Sequence, residues 1–381
     1  MKSIGVLIVV LAGTHLPTAS AYAQSLILNQ TEQEAAMLHG PWPPAKKTDP
    51  SNRVSGNEAA IELGKALFGS TALSSSGELS CASCHQPGNA FTDGLARAIA
   101  HAELDRNTQS LWNVSSHRWF SWDGRNDNLW AQSLLPIPRT DEMALAAGNL
   151  EAVLTSESFS SDYAKIFGPP STHSEEENLV NVGKALAAYI ETLNTGETPF
   201  DNFLRALAEN DIEVASQYPE AAQRGFQIFS GKGKCTFCHS GPLFSNGEFH
   251  DAGVPYFVEA TRVDMGRHGG IEALLESPFT LGGGYTDDVA KQGAWKVNQL
   301  RRTHNDFGTF RVPSLREVEK TAPYMHNGSL PTLKSVVDHY SNIDLERLHE
   351  DGELILEPLN LTDQETADLV AFLKSLTAVQ Q

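Results

Sequence analysis

Apolar residues recur at helical spacing in two widely separated segments of the chain. In the first segment, Asn57 to Phe68, the apolar positions are Ala60, Ile61, Leu63, Ala66, Leu67 and Phe68. This spacing predicts an amphipathic helix, and the polar stretch from Gly69 to Glu78 predicts a loop after it. The segment from Ala221 to Phe229 shows the same helical pattern. We therefore expect two helices in comparable positions of two units.

A second pair of apolar patterns follows later in each unit. The two segments are Leu186-Ala-Ala-Tyr-Ile-Glu-Thr-Leu193 and Leu369-Val-Ala-Phe-Leu-Lys-Ser-Leu376. They form a degenerate internal repeat, although two unrelated amphipathic helices would be the alternative interpretation. The sequence Thr362-Asp-Gln-Glu365 predicts a capping box at the start of the second helix.

The length of the chain agrees with this duplication. Its 381 residues are enough for two to three domains at ~150 residues each. We place the boundary near Thr195 to Pro199, so that residues 24–195 and 196–381 each form a mainly α-helical domain with long loops. The glycine-rich stretch from Gly266 to Gly284 has no phosphate-binding fingerprint and is expected to be one of these loops.

The charge balance narrows the range of partners. The chain has 28 lysines and arginines against 47 aspartates and glutamates, a formal net charge of −19. Nucleic acids and anionic membrane surfaces attract basic proteins, so neither is an expected partner.

The N-terminal residues are typical of an export signal. Met1-Lys2-Ser3 is followed by an apolar run, Ile4 to Ala12, and later by Ala21-Tyr22-Ala23. This pattern predicts a signal peptide over residues 1–23 and a periplasmic protein. The apolar run is shorter than the ~20 residues of a membrane-spanning helix, and no later segment is a better candidate.

All four cysteines of the chain occur in one repeated motif. The sequences are Cys81-Ala-Ser-Cys84-His85 and Cys235-Thr-Phe-Cys238-His239. Two disulfides would be ordinary in an exported protein, and paired Cys-x-x-Cys units can also bind zinc. Neither alternative needs a histidine after each pair, whereas covalent attachment of haem c does. The motifs therefore predict two haem c groups, with His85 and His239 as iron ligands.

Further motifs lie along the chain from about Asn57 to its end. They are Trp122-Asp-Gly-Arg125, Gln132, Pro136, Glu142-Met143, Val312-Pro-Ser-Leu-Arg316 and Thr321-Ala-Pro-Tyr-Met-His-Asn-Gly328. In this order they resemble the bacterial dihaem cytochrome c peroxidase and MauG superfamily. The resemblance implies two cytochrome c-like domains with a calcium ion and a tryptophan between the haems.

The resemblance also implies roles for individual residues. Trp122 corresponds to the tryptophan between the haems, and Glu142 to the acid above the peroxide-binding haem. Gln132 and Pro136 correspond to residues lining that pocket. A carboxylate beside an open iron site can take a proton from one peroxide oxygen and return it to the other.

The calcium site implied by the resemblance involves three residues. They are Asn107 and the backbone carbonyls of Thr321 and Pro323. Oxygen ligands of this kind suit a hard cation, with water completing its coordination.

The sixth ligand of the second haem separates the branches of the superfamily. Aligning Leu333-Lys-Ser-Val-Val-Asp-His-Tyr340 on the relevant helix puts Tyr340 where peroxidases have methionine and MauG-like enzymes have tyrosine. Met325 and His339 are alternative ligands. His101 lies 16 residues beyond His85, as does the histidine that blocks the first haem of some resting peroxidases, but a surface histidine is an equal alternative.

The leading functional hypothesis is a MauG-like enzyme of the MbnH type. With hydrogen peroxide it would form a high-valent dihaem state and oxidise tryptophan or tyrosine residues of a partner protein. Gly233 stands where MauG has a tryptophan, which argues against the same protein substrate. One alternative is a peroxidase supplied with electrons by a small cytochrome or cupredoxin. The other is a non-catalytic electron-transfer cytochrome.

Overall fold

A computed structural model describes residues 26–45, 48–255, 257–259, 261–348 and 355–379. The predicted signal peptide lies outside these residues. The chain is mainly helical, as expected, and no described helix is long and apolar enough to cross a membrane. The α-helices are α1 Gln30–Met37, α2 Glu58–Gly69, α3 Cys81–Cys84, α4 Leu129–Leu134, α5 Leu150–Leu154, α6 Ser160–Phe167, α7 Glu175–Ile190, α8 Pro199–Ala208, α9 Ile212–Ala215, α10 Glu220–Ser230, α11 Arg267–Glu276, α12 Trp295–Asn298, α13 Leu333–Ser341 and α14 Asp363–Lys374.

The first hydrophobic core forms where α2 and α4 pack against α7. Asn57 begins α2 by accepting a hydrogen bond from the backbone N–H of Ala60. Helix α2 then crosses α7 at Gly64, where an added Cβ would lie only 2.0 Å from the carbonyl oxygen of Ala185. Glycine is needed at this crossing because the two backbones leave no space for a side chain.

The second core repeats this crossing with α10 and α14. A Cβ on Gly225 would lie 2.0 Å from the carbonyl oxygen of Asp368 and 2.7 Å from Cβ of Phe372. The predicted capping box between Thr362 and Glu365 begins α14 and is confirmed. In the first crossing Gly64 lies against Ala185 and Tyr189. In the second, Gly225 lies in the same way against Asp368 and Phe372. The internal repeat in the sequence therefore corresponds to two equivalent helix crossings.

Each core also receives residues from the other half of the chain. Leu28 and Ala36, before and within α1, are buried in the second core. In the opposite direction, Phe279 and Tyr285 pack against the first core. The buried residues of the first core lie before residue 195 and most of those of the second lie after it, but these two segments pack into the opposite core. The domain boundary itself stays a prediction.

The glycine-rich stretch expected to be a loop contains a helix. Helix α11 forms because Ile271 and Leu274 are buried, and Leu274 packs with Trp119 and Val297 in a small third cluster. The local glycine content obscured this tertiary packing. The strands are short: β1 Phe249–His250 pairs antiparallel with β4 Phe310–Arg311, and β2 Phe257–Glu259 pairs with β3 Arg262–Val263.

Candidate haem sites

The first Cys-x-x-Cys-His motif forms one tight helical turn. Cys81 and Cys84 are the ends of α3, and the backbone N–H of His85 donates to the carbonyl of Cys81 at 2.8 Å. Nδ1 of His85 lies 3.1 Å from the carbonyl oxygen of Phe91 and donates to it in the neutral tautomer that a metal ligand needs. Burial lowers the pKa of His85, which favours this neutral form.

The second motif has the same local geometry. The backbone N–H of His239 donates to the carbonyl of Cys235 at 2.8 Å, and its Nδ1 lies 2.8 Å from the carbonyl oxygen of Phe244. Burial lowers the pKa of His239 to about 4. In both motifs Nδ1 is therefore engaged with the backbone, which leaves Nε2 as the metal-binding nitrogen.

The four thiols are not joined in disulfides. Burial raises the pKa of Cys81 and of Cys235 to about 12, so both thiols are protonated at neutral pH. Cys81 packs against the first core and Cys235 against the second. The two pairs therefore do not converge on a shared tetrahedral site of the kind that zinc requires.

A cavity of about 800 Å³ lies beside the second motif. Tyr340 lines it together with Cys235, Cys238 and His239, and so does Met325. Burial raises the pKa of Tyr340 above its ordinary range, so the phenol is protonated unless a cation binds it.

His339, the neighbouring candidate, has a different environment. Its Nε2 lies 2.7 Å from the carbonyl oxygen of Ala252, and it does not line the cavity. Of the three ligands considered from the sequence, Tyr340 and Met325 face the space beside His239.

Glu142 lies next to the first motif and is held by an arginine. Its Oε1 accepts from Nε of Arg139 at 3.1 Å, and its side chain is 22% exposed. Burial raises the pKa of Glu142, and its charge is near enough to raise the pKa of Cys81 and Cys84, although burial is the larger cause for both thiols.

The other two residues expected in this pocket lie on or just after α4. Oε1 of Gln132 accepts from Nδ2 of Asn126 at 2.9 Å. The carbonyl of Pro136 accepts from the backbone N–H of Met143 at 3.1 Å. This second bond closes the loop that carries Glu142, so helix α4 and the acid are structurally connected.

Trp122 is buried and lines the large cavity. Its Nε1 donates to the backbone carbonyl of Asn107 at 2.9 Å. The next residue, Asp123, accepts from Arg106 at 2.8 Å and Arg125 at 2.6 Å. These two guanidinium groups hold the pKa of Asp123 well below its usual range, despite the burial that opposes them. The Trp122 indole is therefore held by its hydrogen bond to Asn107, and the backbone that follows it is held by the salt bridges of Asp123.

The three residues expected to bind calcium also line this cavity. Nδ2 of Asn107 donates to the carbonyl of Leu95 at 2.7 Å, and Oγ1 of Thr321 donates to the carbonyl of Val318 at 3.3 Å. Within the described part of the chain, no group of three or more histidine, cysteine, aspartate or glutamate side chains could hold a metal ion. The calcium ligands implied by the resemblance, the Asn107 amide oxygen and the carbonyls of Thr321 and Pro323, are oxygens of the kind that suit a hard cation; the site stays a prediction.

His101 is exposed at the surface. Its Nε2 lies 3.2 Å from Oγ of Ser75. This environment is that of the surface histidine considered as an alternative from the sequence.

Comparison with known proteins identifies the family. The family described as di-haem cytochrome c peroxidase matches residues 58–209, and a RoxA-like cytochrome c-like family matches 309–343. Methylamine utilization protein MauG of Methylorubrum extorquens is 32% identical over 97% of this chain and 93% of its own length. The chain belongs to the dihaem cytochrome c peroxidase and MauG family.

Other members of the family have different names. Cytochrome-c peroxidase IdrP2 of Denitromonas iodatirespirans is 32% identical over 84% of this chain and 82% of its own length. The crystal structure of a MauG-like protein associated with microbial copper homeostasis superimposes with a TM-score of 0.64 at 26% identity, covering 89% of this chain and 96% of that one. The chain is thus a haem-dependent oxidoreductase of the peroxidase type, and covalently bound haem c is the cofactor that its family implies.

The structure fits two such haems. Each motif presents two free thiols and one neutral histidine whose Nδ1 is already engaged. In addition, Nη1 of Arg311 is buried and has no hydrogen-bond partner in the part of the chain that the structure describes, and this arginine lines the large cavity. A buried guanidinium nitrogen without a partner is stabilised by an anion. Haem carries two propionate carboxylates of the kind that this nitrogen binds.

Sequence reasoning missed two features of these sites. The carbonyls of Phe91 and Phe244, which orient the two histidines, belong to the backbone and have no sequence signature. Arg139 was recognisable in principle, because it lies three residues before Glu142 and could pair with it on one turn.

Proposed function

We propose that this dihaem enzyme uses hydrogen peroxide to oxidise tryptophan or tyrosine side chains of a partner protein. The observation that carries the proposal is the position of Tyr340, which lines the cavity beside Cys235, Cys238 and His239. A phenolate ligand favours higher iron oxidation states, whereas a methionine ligand favours the reduced state. Tyr340 at this position therefore supports the hypothesis that the second haem stores an oxidising equivalent. It does not favour a second haem that accepts electrons from a donor protein.

The haems supply the iron chemistry, and the chain supplies proton transfer. Reduction of hydrogen peroxide to water consumes two electrons and two protons, and the partner provides the electrons. Glu142 takes the proton of one peroxide oxygen and delivers it to the other, which leaves as water. The salt bridge from Arg139 holds the carboxylate, and the hydrogen bond from Met143 to Pro136 closes the loop that carries it.

The family resemblance assigns Trp122 to the space between the two haems, and its environment supports that assignment. It lines the cavity of the second site and is followed by Asp123, which is locked between Arg106 and Arg125. An indole held in one orientation exchanges electrons without first reorganising its surroundings. We assign Trp122 to electron exchange between the haems.

The alternative is a peroxidase that receives electrons from a small cytochrome or cupredoxin. Met325 favours it, because this thioether lines the same cavity as Tyr340. If Met325 binds the second iron, the site has the ligand expected of an electron acceptor.

Substitution of Tyr340 distinguishes the two functions. In Tyr340→Met the reduction potential of the second haem should rise, and the near-infrared absorption that follows one equivalent of peroxide should disappear. Both haems should remain, since the cysteines attach them. Tyr324→Phe is the matched control, because Tyr324 also lines the cavity and its hydroxyl donates to the carbonyl of Val318. Wild-type potential and spectrum in Tyr340→Met would favour the peroxidase.

Two further parts of the proposal concern location and calcium. We assign the mature enzyme to the periplasm, with Gln24 as its first residue, which N-terminal sequencing of the exported protein tests. We also assign one Ca²⁺ ion to Asn107 and the carbonyls of Thr321 and Pro323. Metal analysis should find about one calcium per chain in the wild type and a clear loss in Asn107→Ala; equal calcium in both would contradict the assignment.

A further inference from the structure

Arg311 is an unusual buried cation. It lies on β4 and is 4% exposed. Its backbone N–H donates to the carbonyl of Trp122 at 2.7 Å, and its Nε donates to the carbonyl of Ser121 at 3.3 Å. Its Nη1 is buried and has no hydrogen-bond partner among the described residues.

Other buried arginines of this chain have their partners within the protein. Arg316 forms a two-pronged salt bridge with Asp201, at 2.8 and 2.9 Å. The partly buried Arg106 donates twice to Asp264 and also pairs with Asp123. Arg267 lacks a carboxylate but donates to the carbonyls of Asp123 and Gly124 and lies over two aromatic rings. For Arg311, burial is the single cause that lowers the pKa, to about 10, and no nearby anion opposes it.

The acids that line the same cavity are engaged elsewhere. Asp251 accepts from the backbone N–H of Gly253, Asp306 accepts from Thr303, and Glu357 pairs with Lys234. His117 also lines the cavity, but burial and the charge of Arg311 lower its pKa well below the ordinary value, so it is neutral. The anion that Arg311 needs must therefore come from a bound group.

We propose that Arg311 binds a propionate of the haem attached to Cys235 and Cys238. The cavity that Arg311 lines is the one that contains these cysteines and His239. Thioether attachment uses the vinyl groups of haem and leaves both propionates as free carboxylates. A guanidinium presents two parallel donors to a carboxylate, and such a pair satisfies a buried Nη1.

The proposal connects the second haem to Trp122. The backbone of Arg311 holds the Trp122 carbonyl, while its side chain reaches the propionate. Haem position and indole position are then linked through one residue. This inference depends on covalent haem and not on the choice between Tyr340 and Met325, so it survives if the proposed oxidation of a partner protein fails.

The test compares holoprotein variants by resonance Raman spectroscopy and redox titration. Arg311→Met should shift the propionate bending band of the second haem. It should also lower the equilibrium constant for reduction of that haem on the order of tenfold, because a nearby positive charge is lost. Arg311→Lys keeps the charge and should retain the potential while changing the band. The control is Arg118→Met, since Arg118 is half exposed and pairs with Glu248; both readouts should match the wild type.

An unchanged band and potential in Arg311→Met, with both haems attached, would overturn the assignment. If that variant does not accumulate, a crystal structure of the wild-type holoprotein decides. A propionate oxygen within hydrogen-bond distance of Nη1 supports the proposal. Water or a free anion from the buffer at that position refutes it.

Discussion

Substitution of Gly225 by alanine tests the packing on which the second site depends. This glycine lies where α10 crosses α14, and an added Cβ would lie 2.0 Å from the carbonyl oxygen of Asp368. Ordinary contact between these atoms is about 3.4 Å, so the helices must separate by more than 1 Å. The nearby Phe226 and Phe372 are fully buried and would lose contacts.

The expected cost combines two opposing contributions. Forcing a methyl group into a packed core costs ~1–3 kcal/mol, and the upper end applies here because the obstacle is backbone. Alanine stabilises a helix by ~1 kcal/mol relative to glycine. The net loss in the free energy of unfolding should be about 2 kcal/mol, equivalent to a fall in Tm of roughly 4–8 °C for an unfolding unit of about 150–250 residues, the size of the second half of the chain.

The assay is guanidinium unfolding of the holoprotein, followed by Soret absorption and circular dichroism. Gly69→Ala is the matched control, because nothing lies within 4 Å of its added Cβ at the end of α2. It should have wild-type stability or gain up to ~1 kcal/mol. Gly64→Ala should resemble Gly225→Ala, since its clash with Ala185 is the same. If Gly225→Ala is as stable as Gly69→Ala, the backbones are not as close as described.

Three further outcomes are expected. Glu142→Gln should slow the reaction with peroxide by on the order of 10²–10⁴, measured by stopped flow, whereas Glu151→Gln, at an exposed acid on α5, should change it little. Burial lowers the pKa of His39 to about 4, so the unfolded chain binds a proton between pH 6.5 and 4 that the native state does not; this residue alone should lower the stability by about 2 kcal/mol between pH 7 and pH 5, and the total fall should be smaller by that amount in His39→Phe. Intact mass should exceed that of the polypeptide by two haems with no thiol left to label; one haem or bound zinc would contradict the two motifs.

Local chemistry explains what the sequence could predict. The spacing of Cys235, Cys238 and His239 is fixed by one turn of backbone, and the Thr362 cap by four consecutive residues. Both can be read without knowing the fold. The helix repeat was also visible, because the crossing at Gly225 requires the same apolar face on α14 that Gly64 requires on α7.

Tertiary contacts explain what remained hidden. The burial of Leu274 against Trp119 stabilises α11 within a glycine-rich stretch, and this contact joins residues far apart in sequence. The orphaned Nη1 of Arg311 is visible only once the cavity is built. A sequence pattern cannot reveal an unsatisfied atom, since it does not show which partners are absent.

The exchange of segments between the two cores also positions helix α4. Asn128 caps α4, which carries Gln132, and its Nδ2 also donates to the carbonyl of Phe279 at 2.8 Å. The neighbouring Asp127 accepts from the backbone N–H of Leu281 at 3.0 Å.

A third connection lies deeper in the first core, where buried Lys184 pairs with Asp287 at 2.6 Å. All three contacts join the first half of the chain to the segment 279–287 of the second half. Helix α4, which precedes the loop that carries Glu142, is therefore held by contacts with both halves of the chain. Because the same second half supplies Tyr340, we expect a change in its packing to reach α4 and the proposed peroxide pocket beside it.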